Sequence, residues 1–391
     1  MSESRVARAV ELMTRFADYS GLASPRAPRR YLWTDAFAVC NFLALARVTG
    51  EGRFDELALQ LVEQVHRVLG RHRDDDTRAG WISGLGPAEG AAHPTRGGVR
   101  IGKPLPERAA GARLDERLEW DRDGQYFHYL TKWMHALDQT TRATGQPLFN
   151  TWARELAAAA HRAFVYTAPG GGRRMYWKMS IDLSRPQVPS MGQHDPLDGV
   201  VTCSQLDVTA AALPGAPAAP SLAAAAADFA AMLDPQHLAT GDPLGLGGLL
   251  ADAWRTGQLV RQGAWPGGDD LVDALLAAAL VGIRHYVTQP DLRAPADRRL
   301  AFRELGLAIG LAAVRTMAEA ARGSGAAGTR ARLDQLSRFA PLGAEIEAFW
   351  LVPAHRETPT WVDHQGINDV MLATCLVPEG FLVLPPLRAG R

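Results

Sequence analysis

Apolar residues recur every three to four positions along most of the chain, which predicts α-helices. In residues 53–71, for example, Phe54, Leu57 and Leu61 share one face, while charged residues occupy the others. Strand patterns are few, so the sequence predicts an all-α protein. Twelve segments have helical spacing: 5–20, 31–48, 53–71, 125–143, 148–165, 196–212, 220–233, 244–259, 269–287, 298–321, 328–349 and 366–377.

The predicted helices are of two kinds. Segment 53–71 is apolar on one side only, whereas 31–48 is apolar on nearly every side and must be buried on nearly every side. Two concentric rings of helices need both kinds. We therefore expect one domain over residues 1–391, an (α/α)6 toroid of six helical hairpins, with segments 31–48, 125–143 and 298–321 in the inner ring.

A short internal repeat favours this arrangement. Residues 47–54, RVTGEGRF, return as residues 142–149, RATGQPLF. Each copy follows an apolar helix, its glycine suits a left-handed helix stop, and its phenylalanine begins the next apolar stripe. If residues 73–121 are an inserted loop, the repeating unit is one hairpin of roughly 45 residues.

Two long irregular stretches, 73–121 and 166–195, interrupt the helices. Loops longer than about 15 residues in a compact domain are usually functional or disordered, and the tryptophans in both stretches favour function. Since both precede apolar helices, we expect them to meet at one mouth of the toroid as active-site loops. The stretches 213–223 and 322–329 are predicted to be connections between helices and not domain boundaries.

The composition narrows the classes of partner and location. Apolar residues make up 47% of the chain, and 42 basic residues balance 42 acidic ones, so net charge points to neither a nucleic acid nor an anionic membrane. Cys40, Cys203 and Cys375 stand singly, without metal-ligand spacing. Neither a signal core nor a membrane-length apolar run is present. We expect a cytoplasmic protein without a metal or cofactor, and the oligomeric state stays open.

Two Trp-x-Asp motifs are the sharpest candidates for chemistry. Trp33-Thr-Asp35 begins the first nearly all-apolar helix, and Trp361-Val-Asp363, followed by His364, precedes the last predicted helix. In a closed ring these helices are neighbours, which would place two carboxyl groups at one mouth, about 5–10 Å apart, as in glycosidases. We predict Asp35 and Asp363 as catalytic residues. The alternative is that both aspartates cap helices.

Further candidates lie in three polar and aromatic clusters, at 119–135, 173–178 and 193–199. His128 and His194 are predicted acid/base residues, with a buried core histidine and helix capping as the respective alternatives. Asp195 and Pro196 are predicted as N-cap and first residue of a helix. Segment 173–178 suits either sugar stacking or a short exposed hairpin. The predicted substrate-binding residues are Trp33, Trp120, Tyr126, Lys132, Trp177, Lys178, Trp361 and His364.

The stretch from Leu32-Trp33-Thr-Asp35-Ala-Phe37 to Thr49-Gly50 resembles the Trp-x-Asp-x-Phe…Thr-Gly pattern of the six-hairpin glycosidase superfamily. It is most similar to the unsaturated glucuronyl and rhamnogalacturonyl hydrolases. The resemblance implies the α/α toroid fold and an active-site role for Asp35. The resemblance is close over about 20 residues. Over the rest of the chain it extends only to the spacing of the helices. The same architecture occurs in sugar 2-epimerases and in terpene and lanthionine cyclases.

Three functions follow as expectations. The first is a glycoside hydrolase in carbohydrate metabolism, with a sugar as the small-molecule substrate, Asp35 as general acid/base and Asp363 assisting it. The second is an epimerase or isomerase of the N-acylglucosamine 2-epimerase type, in which His128, His194 and His364 move protons. The third is a toroid without catalysis that binds a ligand or partner.

Overall fold

A computed structural model describes residues 3–213, 219–265, 267–322 and 326–388. Helices take up 64% of the structure, so the chain is mainly α in class. The helices of the described residues are α1 (Glu3–Tyr19), α2 (Leu32–Thr49), α3 (Gly52–Leu69), α4 (Pro87–Ala92), α5 (Glu116–Glu119), α6 (Phe127–Thr144), α7 (Pro147–Phe164), α8 (Asp195–Ala212), α9 (Ala223–Met232), α10 (Pro243–Arg261), α11 (Gly268–Tyr286), α12 (Ala301–Ala320), α13 (Ala327–Ser337), α14 (Ala340–Leu351), α15 (Pro359–Val362), α16 (Gln365–Leu376) and α17 (Glu379–Leu382). Within the predicted connections, residues 214–218 and 323–325 lie outside the described residues.

The long predicted helices are present, with one correction. Segment 328–349 is not one helix but two, α13 and α14. Pro341 lies in the first turn of α14, where its missing N–H has no helical partner to lose, so proline is tolerated there and not in a helix interior. The short helices α4, α5, α15 and α17 were not predicted, since a single turn carries no periodic pattern.

Five short strands lie in or beside the two long loops. They are β1 (Gln125–Tyr126), β2 (Val165–Thr167), β3 (Arg173–Met175), β4 (Lys178–Met179) and β5 (Pro186–Val188). Strands β1, β4 and β5 form an antiparallel sheet in the order β1-β4-β5, and β2 pairs with β3 in a hairpin. The hairpin alternative for segment 173–178 is therefore confirmed for Arg173 and Arg174. The β1–β4 pairing joins the start of α6 to the second long loop.

The chain divides into two compact units that interleave in sequence. Unit 1 comprises Met1–Phe16, Ala44–Glu51 and Asp234–Leu384, and unit 2 comprises Ala17–Leu43, Gly52–Leu233 and Pro385–Arg391. In unit 2, α6 packs against α7 and α8, and α8 packs against α9. In unit 1, α10 packs against α11 and α12, while α12 also contacts α14 and α16. The single domain and the closed toroid stay predictions.

Two of the helices predicted to be inner, α2 and α6, are largely buried, and several polar residues of α6 are paired with α8. Every residue of α2 from Leu32 to Ala46 is buried. Helix α6 is buried as fully, although many of its residues are polar. Because a buried polar group without a partner is costly, these residues bond to α8. The bonds of this polar seam are Lys132 to Asp198 at 2.6 Å, Gln205 to Asp138 at 2.6 Å and Arg142 to Thr209 at 2.7 Å.

The sequence repeat corresponds to the same turn in both copies. Gly50 and Gly145 have φ angles of 73° and 72°, the left-handed region that favours glycine. The hydroxyls of Thr49 and Thr144 donate to the carbonyl four residues earlier, at 2.7 and 2.8 Å. Each hydroxyl also accepts the N–H two residues later, at 3.2 Å. The repeated letters therefore encode one helix stop.

Gly50→Ala should destabilise the protein by about 1 kcal/mol, because an alanine in the left-handed conformation is strained by about that amount. Space is not the cause, since a Cβ at residue 50 meets no atom within 4 Å. Gly52→Ala is the matched control: it also meets no atom, and it lies in α3 with an ordinary φ. Urea unfolding of the two variants checks this. Equal destabilisation would contradict it.

Candidate functional site

The N-terminal ends of α2, α6 and α8 come together in unit 2. His128, in the first turn of α6, lies with its Nδ1 3.5 Å from Oδ1 of Asp195, the first residue of α8. The Trp33 ring, near the start of α2, lies 6.1 Å from the His128 ring, centroid to centroid. Helix N-termini carry partial positive charge, which favours the carboxylates of Asp195 and Asp198 in the first turn of α8. Side chains from three helices thus share one region.

Aromatic rings line this region. The aromatic cluster comprises Tyr31, Trp33, Trp120, Tyr126, His128, Tyr129 and Trp177, each within 6.5 Å of another member, centroid to centroid. Tyr126 lies at its centre, 5.3 Å from Tyr129 and 5.4 Å from both His128 and Trp177. Of the predicted binding residues, Trp33, Trp120, Tyr126 and Trp177 are therefore brought together. Flat aromatic faces suit a ligand with apolar ring faces.

One oxygen of the Asp195 carboxyl group accepts no hydrogen bond from the described residues. The residue is only 4% exposed, and none of the described residues donates a hydrogen bond to its buried Oδ2. The indole nitrogen of Trp33 is likewise buried, with no acceptor among the described residues. Buried polar atoms are normally satisfied, so these two unpaired atoms are exceptions that call for an explanation. The residue predicted as an N-cap is therefore the best-placed carboxyl of the site.

The start of α8 differs from the predicted one by one residue. The N-cap of α8 is His194, not Asp195, so the predicted cap is wrong by one residue. Proline at the second helical position still suits the first turn of a helix, which explains why the prediction was wrong by only one residue.

Gly192 lies close to the Asp195 carboxyl group. A Cβ on Gly192 would lie 2.5 Å from Oδ2 and 2.8 Å from Oδ1 of Asp195. Only glycine lets the loop approach so closely.

Asp35 is engaged differently. It is 1% exposed, and its Oδ2 accepts the backbone N–H of Tyr31 at 2.9 Å. Its Oδ1 lies 3.5 Å from the guanidinium of Arg30, which is also buried. Burial raises the pKa of Asp35 to about 6, against the opposing effects of Arg30 and the Tyr31 N–H. Asp35 thus ties the start of α2 to the preceding loop.

The two predicted lysine ligands are held in ion pairs. Lys178 is fully buried, and its Nζ lies 2.8 Å from Oε1 of Glu119 and donates to two backbone carbonyls. Burial lowers the pKa of Lys178, which the pairing with Glu119 opposes. Lys132 bonds to Asp198 and lies 6.0 Å from the Trp33 ring. Lys178 Nζ also lies 5.2 Å from the Tyr126 ring, so both lysines border the aromatic cluster while held in ion pairs.

Sequence reasoning missed Lys103. Its ammonium lies 5.4 Å from the Tyr31 ring, at the edge of the aromatic cluster, and no described carboxylate lies within ion-pair distance. Burial lowers its pKa. The available signal was its place in loop 73–121, which was already predicted to be functional. Lys103 gives the site a cation that could meet an acidic substituent on a ligand.

The two long loops are ordered by an ionic framework. Arg78 donates to Asp76, Glu107 and Asp182, which joins loop 73–121 to loop 166–195. Asp123 accepts from the Arg100 guanidinium at 2.8 Å and from the Gly102 N–H at 2.9 Å. These bonds join the two loops to each other and to the segment before α6.

The remaining predicted residues lie elsewhere or have other contacts. Trp361, Asp363 and His364 belong to unit 1. Trp361 is buried against Trp350 at 5.5 Å, while Asp363 and His364 are exposed at the start of α16. Pairing of Asp363 with Asp35 therefore stays a prediction, as does a catalytic role for His194 beyond its position as N-cap.

Comparison with known proteins adds no assignment: no family model matches the chain, and no curated protein is significantly similar to it in sequence. Within the described residues, no helix is both long and apolar enough to cross a membrane. The same residues contain no group of three or more His, Cys, Asp or Glu side chains that could hold a metal ion. The geometry around His128 and Asp195 is therefore the main support for any function.

Asp35→Asn should change how stability depends on pH. The folded pKa of about 6 exceeds the unfolded value near 3.8, so the folded protein holds a proton that the unfolded chain releases. The wild type should therefore lose about 1 kcal/mol relative to Asp35→Asn as pH rises from 5 to 7.5. Urea unfolding across this range checks it. A difference that does not vary with pH would contradict it.

Gly192→Ala should impair the site without unfolding the protein. The added methyl group must displace the Asp195 carboxyl group, because the contact would be 2.5 Å. Since φ at residue 192 is not positive, no backbone strain is added. We expect a melting temperature close to that of the wild type and weaker binding of any ligand that contacts Asp195, measured by titration. Unchanged binding would show that Asp195 is not where a ligand sits.

Proposed function

We propose that this chain is a carbohydrate-active enzyme, most closely a glycoside hydrolase, in which Asp195 and His128 form the acid/base pair. One observation carries the proposal. A buried carboxyl group with an unengaged oxygen lies beside an imidazole inside a cluster of aromatic rings. Carboxyl groups are the usual acid/base of glycosidases, and aromatic rings are suited to holding sugars.

The proposed chemistry assigns each group a task. In hydrolysis a water molecule adds to the anomeric carbon as the bond to the leaving oxygen breaks. Asp195, whose Oδ2 accepts no hydrogen bond from the described residues, would protonate the leaving oxygen and regain a proton from that water. His128, 3.5 Å from Oδ1, would orient the carboxyl group and share its proton. The Trp33 indole N–H would donate to a sugar hydroxyl. Lys103 would meet a carboxylate if the sugar is a uronic acid.

This proposal moves the acid/base role from Asp35 to Asp195. The Asp35 carboxyl group accepts the Tyr31 N–H and lies 3.5 Å from the buried Arg30 guanidinium, whereas Asp195 Oδ2 accepts no hydrogen bond from the described residues. The raised pKa of Asp35 would suit a general acid, but burial alone accounts for it. In this proposal Asp35 is a positioning residue for Trp33.

We also propose the six-hairpin toroid as the complete fold. In each unit the more buried helices neighbour one another, as α6 does α8 and α10 does α12, while α7 packs on α6 and α8 and α11 packs on α10. The repeated helix stops after α2 and α6 support a recurring hairpin. The local resemblance of residues 32–50 to six-hairpin glycosidases points the same way.

An epimerase is the second candidate, because the same pair could work with the roles reversed. His128 is partly exposed while Asp195 lies buried behind it, an arrangement in which a carboxylate orients a histidine base. His128 would then abstract a proton beside a sugar carbonyl. A binding protein without catalysis would use the same aromatic cluster but would not depend on proton transfer.

Asp195→Asn should lower turnover about 10²–10⁴-fold, the usual contribution of general acid–base catalysis. Asp35→Asn is the matched control and should keep most activity. The screen would use uronic-acid disaccharides, other glycosides and free aldoses in deuterated water, with circular dichroism to confirm folding. The hydrolase proposal expects Asp195→Asn to lose more than His128→Asn.

The alternatives predict other results in the same screen. Greatest loss in His128→Asn, with solvent deuterium entering the sugar, indicates the epimerase. Binding without turnover of any sugar indicates the binding protein. Full hydrolysis by Asp195→Asn, or its loss in Asp35→Asn alone, would contradict the assignment to Asp195.

A further inference from the structure

We propose that the substrate has at least two sugar units and that the unit beyond the reacting bond stacks on Trp120. This inference rests on the proposed function. Trp120 is 52% exposed, an unusual state for so large an apolar side chain. Its ring lies 5.3 Å from Trp177, nearly perpendicular to it. Trp120 therefore forms the outer edge of the aromatic cluster.

A buried ion pair fixes both tryptophans. Glu119 precedes Trp120 in sequence, and Lys178 follows Trp177. Glu119 and Lys178 are both buried and bond to each other at 2.8 Å, and Glu119 also accepts from Arg108 at 3.1 Å. Because the neighbouring residues are anchored, the exposed indole is held in place. A rigid exposed ring costs little entropy when a ligand binds.

The tryptophans continue directly from the reacting pair. Trp177 lies 5.4 Å from Tyr126, which lies 5.4 Å from His128. A sugar held beside His128 and Asp195 would extend its next unit along this line towards Trp120. Leu118, in α5 two residues before Trp120, is 43% exposed and provides a control for lost apolar surface.

The test uses Asp195→Asn as the parent protein, so that bound sugars are not turned over. Probes are methyl glycosides of glucose, galactose, rhamnose and glucuronic acid, and disaccharides with the same non-reducing residues. We expect the best disaccharide to bind about tenfold more tightly than its monosaccharide, as expected for apolar burial of one ring face. Calorimetric titration measures both affinities.

Adding Trp120→Ala should abolish this tenfold advantage, so that the disaccharide binds no more tightly than its monosaccharide. Trp120→Phe should keep part of it, and Leu118→Ala should keep all of it. An advantage that survives Trp120→Ala overturns the inference, as does equal affinity for both lengths. A change of oligomeric state in Trp120→Ala, seen by gel filtration, also overturns it, since a second chain would then cover the ring. If no probe binds the parent protein, the proposed function fails and the inference fails with it.

Discussion

Charge buried among helices has to be paired, and the candidate site depends on how this chain meets that requirement. Lys132 on α6 reaches Asp198 on α8, one turn below the point where His128 meets Asp195. The Lys132–Asp198 pair sets the register of α6 against α8, and the His128–Asp195 pair then forms at the N-terminal ends of the two helices. In the same way, the Glu119–Lys178 pair holds the loops that carry Trp120 and Trp177. The aromatic cluster is therefore a consequence of buried pairing.

Asp35 and Asp195 illustrate how local contacts separate two buried residues of one type. Both lie in the first turns of buried helices, and both are nearly inaccessible to solvent. Asp35 is satisfied by a backbone N–H and a guanidinium, whereas Asp195 keeps one oxygen without a donor among the described residues. We infer that the first stabilises structure and the second serves chemistry. Gly192 is consistent with this difference, because a Cβ at that residue would lie 2.5 Å from Asp195 Oδ2 and displace the carboxyl group.

Much of the fold could be predicted from periodicity, since long helices such as α3 carry their pattern within a single segment. The break at Pro341 and the strands in the loops could not, because they depend on local chemistry or on distant partners. Trp120 and Trp177 could be predicted because tryptophans in long loops favour a function over disorder, and Trp33 because it belongs to a Trp-x-Asp motif. Asp195 was missed, since Asp-Pro at a helix start has a sufficient local explanation, and its contact with His128 joins residues 67 positions apart in the chain (195 minus 128). The ion pair of Lys178 likewise depends on two loops meeting.

The most direct test is a crystal structure of Asp195→Asn with a disaccharide bound. The account predicts a sugar oxygen within hydrogen-bond distance, about 2.6–3.2 Å, of the residue 195 side chain. It also predicts a hydroxyl on the Trp33 indole nitrogen. A sugar bound against Asp35 with no contact to residue 195, or bound away from the aromatic cluster, would contradict it.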